Sequence, residues 1–366
     1  MPRAIVLSPN PTSSIGGVER MCVLVARALE QAGWETAILG PRTPQSRLQF
    51  RAGVGYLAMA RSAMRAASAA APDLVISNGY LGGGHTQAPR IHVYHGTLLA
   101  GTRALAGLIP RREVLRRSAA AGTAELLAGR TASRVVCVSD QTATEVRRLY
   151  RLAGTTVIPN CVDTETFSPG GRAAARASLG LPAAGRCALF VGRFDPGKGT
   201  HIALEAAVRA GYQLIVAGNG APPGARHLGV LAPEQLVEAY RACDCVLLPS
   251  RYEGCSFTVL ESMACGRPII TTAVGWMKTL LEHVPGYAQL CAAPQREQVQ
   301  AVLEALRGID TARLTEEARA FVSAHNDFRQ WANEWRELAD ELVSAHRRPS
   351  IADSRRGGER RARKRR

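Results

Sequence analysis

The sequence predicts an α/β protein of two doubly wound parallel-sheet domains. Three observations carry this. Short apolar strands alternate with amphipathic helices along the chain, as they do where helices cover both faces of a parallel sheet. Glycine-containing turns stand where strands pass into helices, the places at which open α/β sheets bind ligands. A length of 366 residues suits two domains of ordinary size, each with its own core.

The first strand is AIVLS at residues 4–8. A loop with Gly16 and Gly17 follows, where backbone can approach a ligand with no Cβ in the way. Val18, Met21, Cys22, Val25 and Leu29 then fall on one helical face, so this loop is a helix start open to anions. It is not GxGxxG, and no acidic residue stands at a good ribose position, which argues against a nicotinamide site. His95, in VYHGT, follows another apolar strand. Residues 98–117 mix apolar side chains with Arg103, Arg111, Arg112, Arg116 and Arg117. They fit a basic amphipathic segment on an anionic membrane surface, or a helix pair facing a cleft.

The Pro- and Gly-rich SPGGRAAAR, starting at Ser168, reads as a linker. The first domain is placed at 1–168 and the second at 175–326. CALFV (187–191) is a buried parallel strand, followed by GRFDPGKGTH and an apolar helix. Arg193 and Lys198 sit on that turn. Gly192-x4-Gly197-Lys198 resembles a phosphate loop, but Gly199 replaces the Ser or Thr that an NTPase uses to hold its metal. Cys243-x-Cys245 lies in a probable strand.

PSRYEGCSFTVLESMACGRPI (249–269) is the most informative segment. Glu253 and Glu261 are eight positions apart, which on one continuous helix is a rotation of about 80°. A loop followed by a helix fits better, with Gly254 in the loop, Glu253 before it and Glu261 about a turn inside the helix. The N–H groups of Ser256, Phe257 and Thr258 then lie at the open helix start, where unpaired donors and the helix dipole favour phosphate. Flanking carboxylates can accept from hydroxyls, an arrangement that suits a nucleotide sugar; two solvated glutamates are the plainer alternative. Residues 327–346 form a last helix with Phe328, Trp331, Trp335, Leu338 and Leu342 on one face.

Taken together, SIGGVER (14–20), VVCVSDQTATEVRRL (135–149), VIPNCVDTETFSP (157–169), LFVGRFDPGKGTHIALEA (189–206), LIVAGNG (214–220) and the Glu253–Glu261 segment stand in the order of the family 4 glycosyltransferases, which the chain resembles over most of residues 1–346. The resemblance implies the GT-B fold. Two Rossmann-like domains would face each other across a cleft, the first binding acceptor and the second the nucleotide-sugar donor, with helix 327–346 crossing back onto the first. It implies transfer with retention of configuration, and UDP-sugars before GDP-sugars as donors. Glu261 would hold the ribose hydroxyls and Glu253 the donor sugar. Arg193 and Lys198 would grip the diphosphate, Gly17 would let the first loop reach it, and His95 would stand near the sugar. Trp276 and Met277 replace the small residues common in the family, which could reshape the sugar pocket. Other enzymes of this fold, such as a phosphorylase or an epimerase, and a non-catalytic nucleotide-sugar-binding protein at a membrane remain as alternatives.

No DxD motif occurs, so no cofactor and no obligatory metal are expected. The net charge is +16, unevenly spread: residues 1–165 hold 19 Arg and Lys against 10 Asp and Glu, residues 166–346 hold 17 against 18, and 347–366 hold 10 against 2. A basic first domain suggests an acidic acceptor or an anionic membrane surface. The tail 347–366, almost without apolar residues, is expected to be disordered; lipid headgroups, nonspecific contact with nucleic acid, and no specific partner at all stand as equal alternatives for it. Nine scattered cysteines without zinc spacing predict reduced, mostly buried thiols. The N-terminal apolar run is too short for a signal peptide, and no stretch is long enough to span a bilayer. A cytoplasmic protein, peripheral on the inner membrane face, is expected.

Overall fold

The computed structural model describes residues 1–10, 16–40, 54–84 and 86–347. The basic tail beyond Arg347 lies outside the described residues. Six strands form the first sheet: β1 (Arg3–Leu7), β2 (Glu35–Leu39), β3 (Leu74–Asn78), β4 (Arg90–Tyr94), β5 (Arg134–Cys137) and β6 (Thr155–Val157), in the order β2-β1-β3-β4-β5-β6. Five form the second: β7 (Cys187–Val191), β8 (Gln213–Ala217), β9 (Arg226–Gly229), β10 (Cys245–Leu248) and β11 (Ile269–Thr271), in the order β11-β10-β7-β8-β9. All neighbours are parallel, with Ile5 opposite Val75 and Leu189 opposite Ile215. Helices cover both faces, so the central strands are buried almost throughout, and in the first sheet that burial takes in Ser77, Asn78, Arg90 and His92.

Three helices bear most on the cleft between the sheets: α1 (Gly17–Gln31), α2 (Phe257–Ala264) and α3 (Phe328–Arg347). The chain passes between the sheets twice, and the two passages pair. Val162 N–H donates to Asn326 O at 2.8 Å, and Phe328 N–H donates to Val162 O at 3.0 Å. Beyond that bridge α3 turns back onto the first sheet's side. It buries Phe328, Trp331, Trp335, Leu338 and Leu342, and Arg27 of α1 stacks over the Phe328 ring at 4.7 Å. Glu341 pairs with Arg134, and Arg347 with Asp73.

Residues 98–117 form two short helices, Leu98–Ala104 and Arg111–Arg116, the second running through a π-helical turn (Arg117–Ala121) into Gly122–Arg130. Arg116 and Arg117 both hydrogen-bond Glu113 at 2.7 Å, so part of the basic charge expected there is already neutralised. Arg111 and Arg112 are exposed, beside a 70 % exposed Leu115. Among the described residues no helix is long and apolar enough to cross a membrane. All nine cysteines are free thiols, and eight are buried. Of Cys243 and Cys245, the second alone lies in a strand; Cys243 ends the helix Pro233–Ala242, whose run of helix-forming residues extends up to it.

Glu125 is buried, and no ion pair among the described residues involves it. It accepts from Leu98 N–H at 2.8 Å and from the Tyr150 hydroxyl. Burial raises its carboxyl from 4.5 to about 7. Between those values the folded state keeps a proton that the unfolded chain has lost. The stability contribution is therefore complete at low pH and is lost as the pH climbs to about 7. Glu125→Gln keeps an acceptor and cannot ionise. In thermal melts it is expected to unfold about a few degrees above the wild type at pH 8, with the gap closing near pH 4.5; an equal gap at both pH values would refute the assignment.

Candidate active site

The turn after β7 is fixed by backbone that only glycine allows. A Cβ on Gly218, after β8, would stand 1.9 Å from Gly192 O, so the two loops touch main chain to main chain. Asp195 caps the short turn Pro196–Lys198 by accepting from Gly197 N–H at 2.7 Å. Gly199 leaves that turn at φ 71°, against Pro249 O. Lys198 is thereby aimed at the next loop, and its Nζ meets Glu253 Oε1 at 2.6 Å. Arg193 is exposed at the cavity wall.

Glu253 lies in the loop and Glu261 inside α2. Ser256 is the N-cap but its side chain does not cap, which leaves the first N–H groups of α2 open. Glu261 is 1 % exposed. The Tyr240 hydroxyl donates to its Oε2 at 2.7 Å, and Arg20, reaching over from α1, donates to its Oε1. The Arg20 guanidinium also lies over the rings of Phe257 at 4.7 Å and Phe167 at 5.5 Å.

One cavity of about 630 Å³ gathers these groups between the sheets. Its walls include Gly16, Gly17, Arg193, Lys198, Glu253, Ser256, Phe257, Thr258 and Glu261. His95 and Gly254 are not on its walls but at the seam behind it, where a Cβ on Gly254 would stand 2.2 Å from His95 O. Asn78 donates to Leu7 O at 2.9 Å, which turns its carbonyl oxygen toward His95 Nε2 at 2.8 Å. Nε2 therefore carries the proton and Nδ1 is the acceptor. Burial pulls the His95 imidazole down to about 4, so the ring is neutral at pH 7. Trp276 and Met277 face a separate void of about 10 Å³ behind Glu253; they back the loop and are not on the walls of the main cavity.

The start of α1 differs from the expectation of a terminus open to anions. Glu19 is buried and folds over Gly16, held by Asn10 Nδ2 at 2.6 Å. A carboxylate of the chain itself thus already faces that helix end. Sequence reasoning missed Arg20, Tyr240 and Tyr252. Arg20 stands inside the SIGGVER segment, yet nothing local signals a partner 241 residues away. Tyr240 reads as one more apolar position of an amphipathic helix.

Residues 15–166 match the family model of Glycosyltransferase Family 4, and residues 185–309 match that of Glycosyl transferases group 1. The chain belongs to the family 4 glycosyltransferases. Among the relatives of this family 4 member is a D-inositol 3-phosphate glycosyltransferase of Acidothermus cellulolyticus. It is 34% identical over 229 residues, covering 52% of this chain and 48% of that one. The chain thus spans about half the length of the curated relatives it matches first. Sucrose-phosphate synthase of Thermosynechococcus elongatus superposes with a TM-score of 0.78 at 22% identity, over 94% of this chain and all of that one. An Anabaena protein solved with UDP-glucose gives 0.66 at 19% identity, over 93% of this chain and all of that one. The two-sheet arrangement is the GT-B fold.

The seam predicts the effect of one methyl group. Gly254→Ala has to push the His95 turn away. It is expected to lower stability in urea by about 2 kcal/mol and to widen the cleft in small-angle scattering; an unchanged profile and midpoint would show that the seam yields freely.

Proposed function

We propose that this protein transfers a glycosyl group, with retention, from a nucleoside-diphosphate sugar to an acceptor hydroxyl. The observation that carries the proposal is the cavity in which Arg193, Lys198, Glu253, Glu261 and the open start of α2 converge. The open N–H groups of α2, Arg193 and Lys198 take the diphosphate. They are oriented before the reaction, so they stabilise charge developing on the leaving group better than water does. Glu261 accepts from the ribose hydroxyls, and Glu253, already bonded to Lys198, from the sugar. Gly17 lets the first domain's loop come close, and His95 offers an uncharged acceptor from behind the seam. The C1–O bond to the diphosphate breaks, the acceptor oxygen bonds to C1 on the same face, and its proton passes to the departing phosphate oxygen. With protein cations neutralising the leaving group, no divalent ion is required.

UDP-sugars are the donors proposed first, and the neighbour solved with UDP-glucose has the same fold. The basic first domain and the phosphorylated polyol in the relatives' name both favour an anionic acceptor. Arg111, Arg112 and Leu115 form the surface proposed to meet an anionic bilayer.

A thermal-shift panel of UDP, GDP, ADP and dTDP tests the donor site. One nucleotide is expected to raise the melting point, since a ligand at a hundredfold excess over its Kd adds about 2.7 kcal/mol, and Glu261→Ala is expected to abolish the rise. No shift with any of them refutes the reading. In a donor-turnover assay Lys198→Ala is expected to lose about a hundredfold or more in kcat; near-normal turnover would exclude Lys198 from the leaving-group site.

A further inference from the structure

We propose that Arg20, on the first domain, is a positioning residue for Glu261, so that the ribose-binding carboxylate is held in place only while the two domains are closed. The inference rests on the proposed donor site and adds a residue and a coupling to it.

Glu261 is almost fully buried, and a carboxylate so placed is stable only when paired and hydrogen-bonded. Its own domain supplies one partner, the Tyr240 hydroxyl on Oε2 at 2.7 Å. The cation comes from α1 of the other domain. Among the described residues, Arg20–Glu261 is the one ion pair that joins the first sheet's layer to the second's.

The geometry is that of a support, not a plug. A carboxylate oxygen accepts about two hydrogen bonds. Arg20 and Tyr240 use one on each oxygen, which leaves each a lone pair for a ribose hydroxyl. The Arg20 guanidinium lies over the rings of Phe257 of α2 and Phe167 of the first passage between the sheets. Contact with aromatic faces favours guanidinium over an ammonium group. Opening the cleft withdraws Arg20 and leaves Glu261 with Tyr240 alone. A nucleoside diphosphate is then held by its phosphates but not by its sugar.

The test compares wild type, R20A, R20K, E261A and R20A/E261A in calorimetric titrations with a nucleoside diphosphate beside its 2′,3′-dideoxy counterpart. R20A is expected to weaken binding of the ribonucleotide about 10- to 100-fold, the loss that goes with a hydrogen bond to a charged group. The dideoxy ligand, which lacks the hydroxyls, is expected to bind both proteins alike, and that equality also certifies a folded site in R20A. R20K falls between, and the double variant is no weaker than E261A alone. Equal losses for both kinds of ligand would assign Arg20 to the phosphates or to mere structure and overturn the inference, as would a ribonucleotide affinity unchanged in R20A. The titrations use whichever nucleotide the thermal-shift panel selects; if wild type binds none of UDP, GDP, ADP and dTDP, the donor reading falls and the inference falls with it.

Discussion

Three stretches of backbone meet at Gly254 with no room for a side chain. A Cβ there would strike His95 O, and a Cβ on Gly275, at φ 60°, would stand 2.2 Å from Gly254 O. Trp276 N–H closes the contact on Gly254 O at 2.7 Å. On either side of this point the functional groups are set. Tyr252 sends its hydroxyl across the seam to Glu145 and accepts from Thr97 N–H at 2.7 Å. Glu253 is held by Lys198, and four residues further on α2 begins. Rigid main chain thus positions the loop to within the tolerance that charge recognition demands.

The electrostatic arrangement follows from that placement. Both carboxylates of the site are already bonded to cations, Glu253 to Lys198 and Glu261 to Arg20. Arg193 stands exposed on the cavity wall, with the open start of α2 on the same cavity. A diphosphate entering here meets donors that need not reorganise. The pairs keep the buried acids from being left as isolated charges.

Features written in local pattern were legible in the sequence. CALFV coincides with β7, and the break between Glu253 and Glu261 falls where the loop ends and α2 begins. Periodicity and turn chemistry act within about a dozen residues, and these features need nothing more. What escaped was tertiary. Arg20 and Glu261 are 241 residues apart, and Tyr240 shows its polar end only once α2 is packed beside it. The open start assigned to α1 failed for a similar reason. Glu19 is an ordinary first-turn acid by sequence, and the Asn10 contact that holds it over Gly16 has no local signal. Cys243 reads as strand by sequence because an apolar run does not mark where a helix stops and a strand begins.

The connection between the domains limits how they can move. The two passages are hydrogen-bonded to each other through Val162, Asn326 and Phe328, and Asn326 Nδ2 ties back to Asn160 O at 2.8 Å. Asn160 in turn donates to Cys255 O at 2.6 Å, next to the N-cap of α2. One chain of hydrogen bonds thus ties both passages to the start of α2 beside the cleft. Gly254 and Arg20 grip that cleft at separate points, one by main-chain fit and the other by charge. The seam at Gly254 is uncharged and needs only shape, whereas Arg20 reaches Glu261 as a cation that keeps the buried carboxylate paired. The two sides of the cleft are therefore joined both by main-chain fit and by charge, and the charged contact is made on Glu261 at the wall of the cavity.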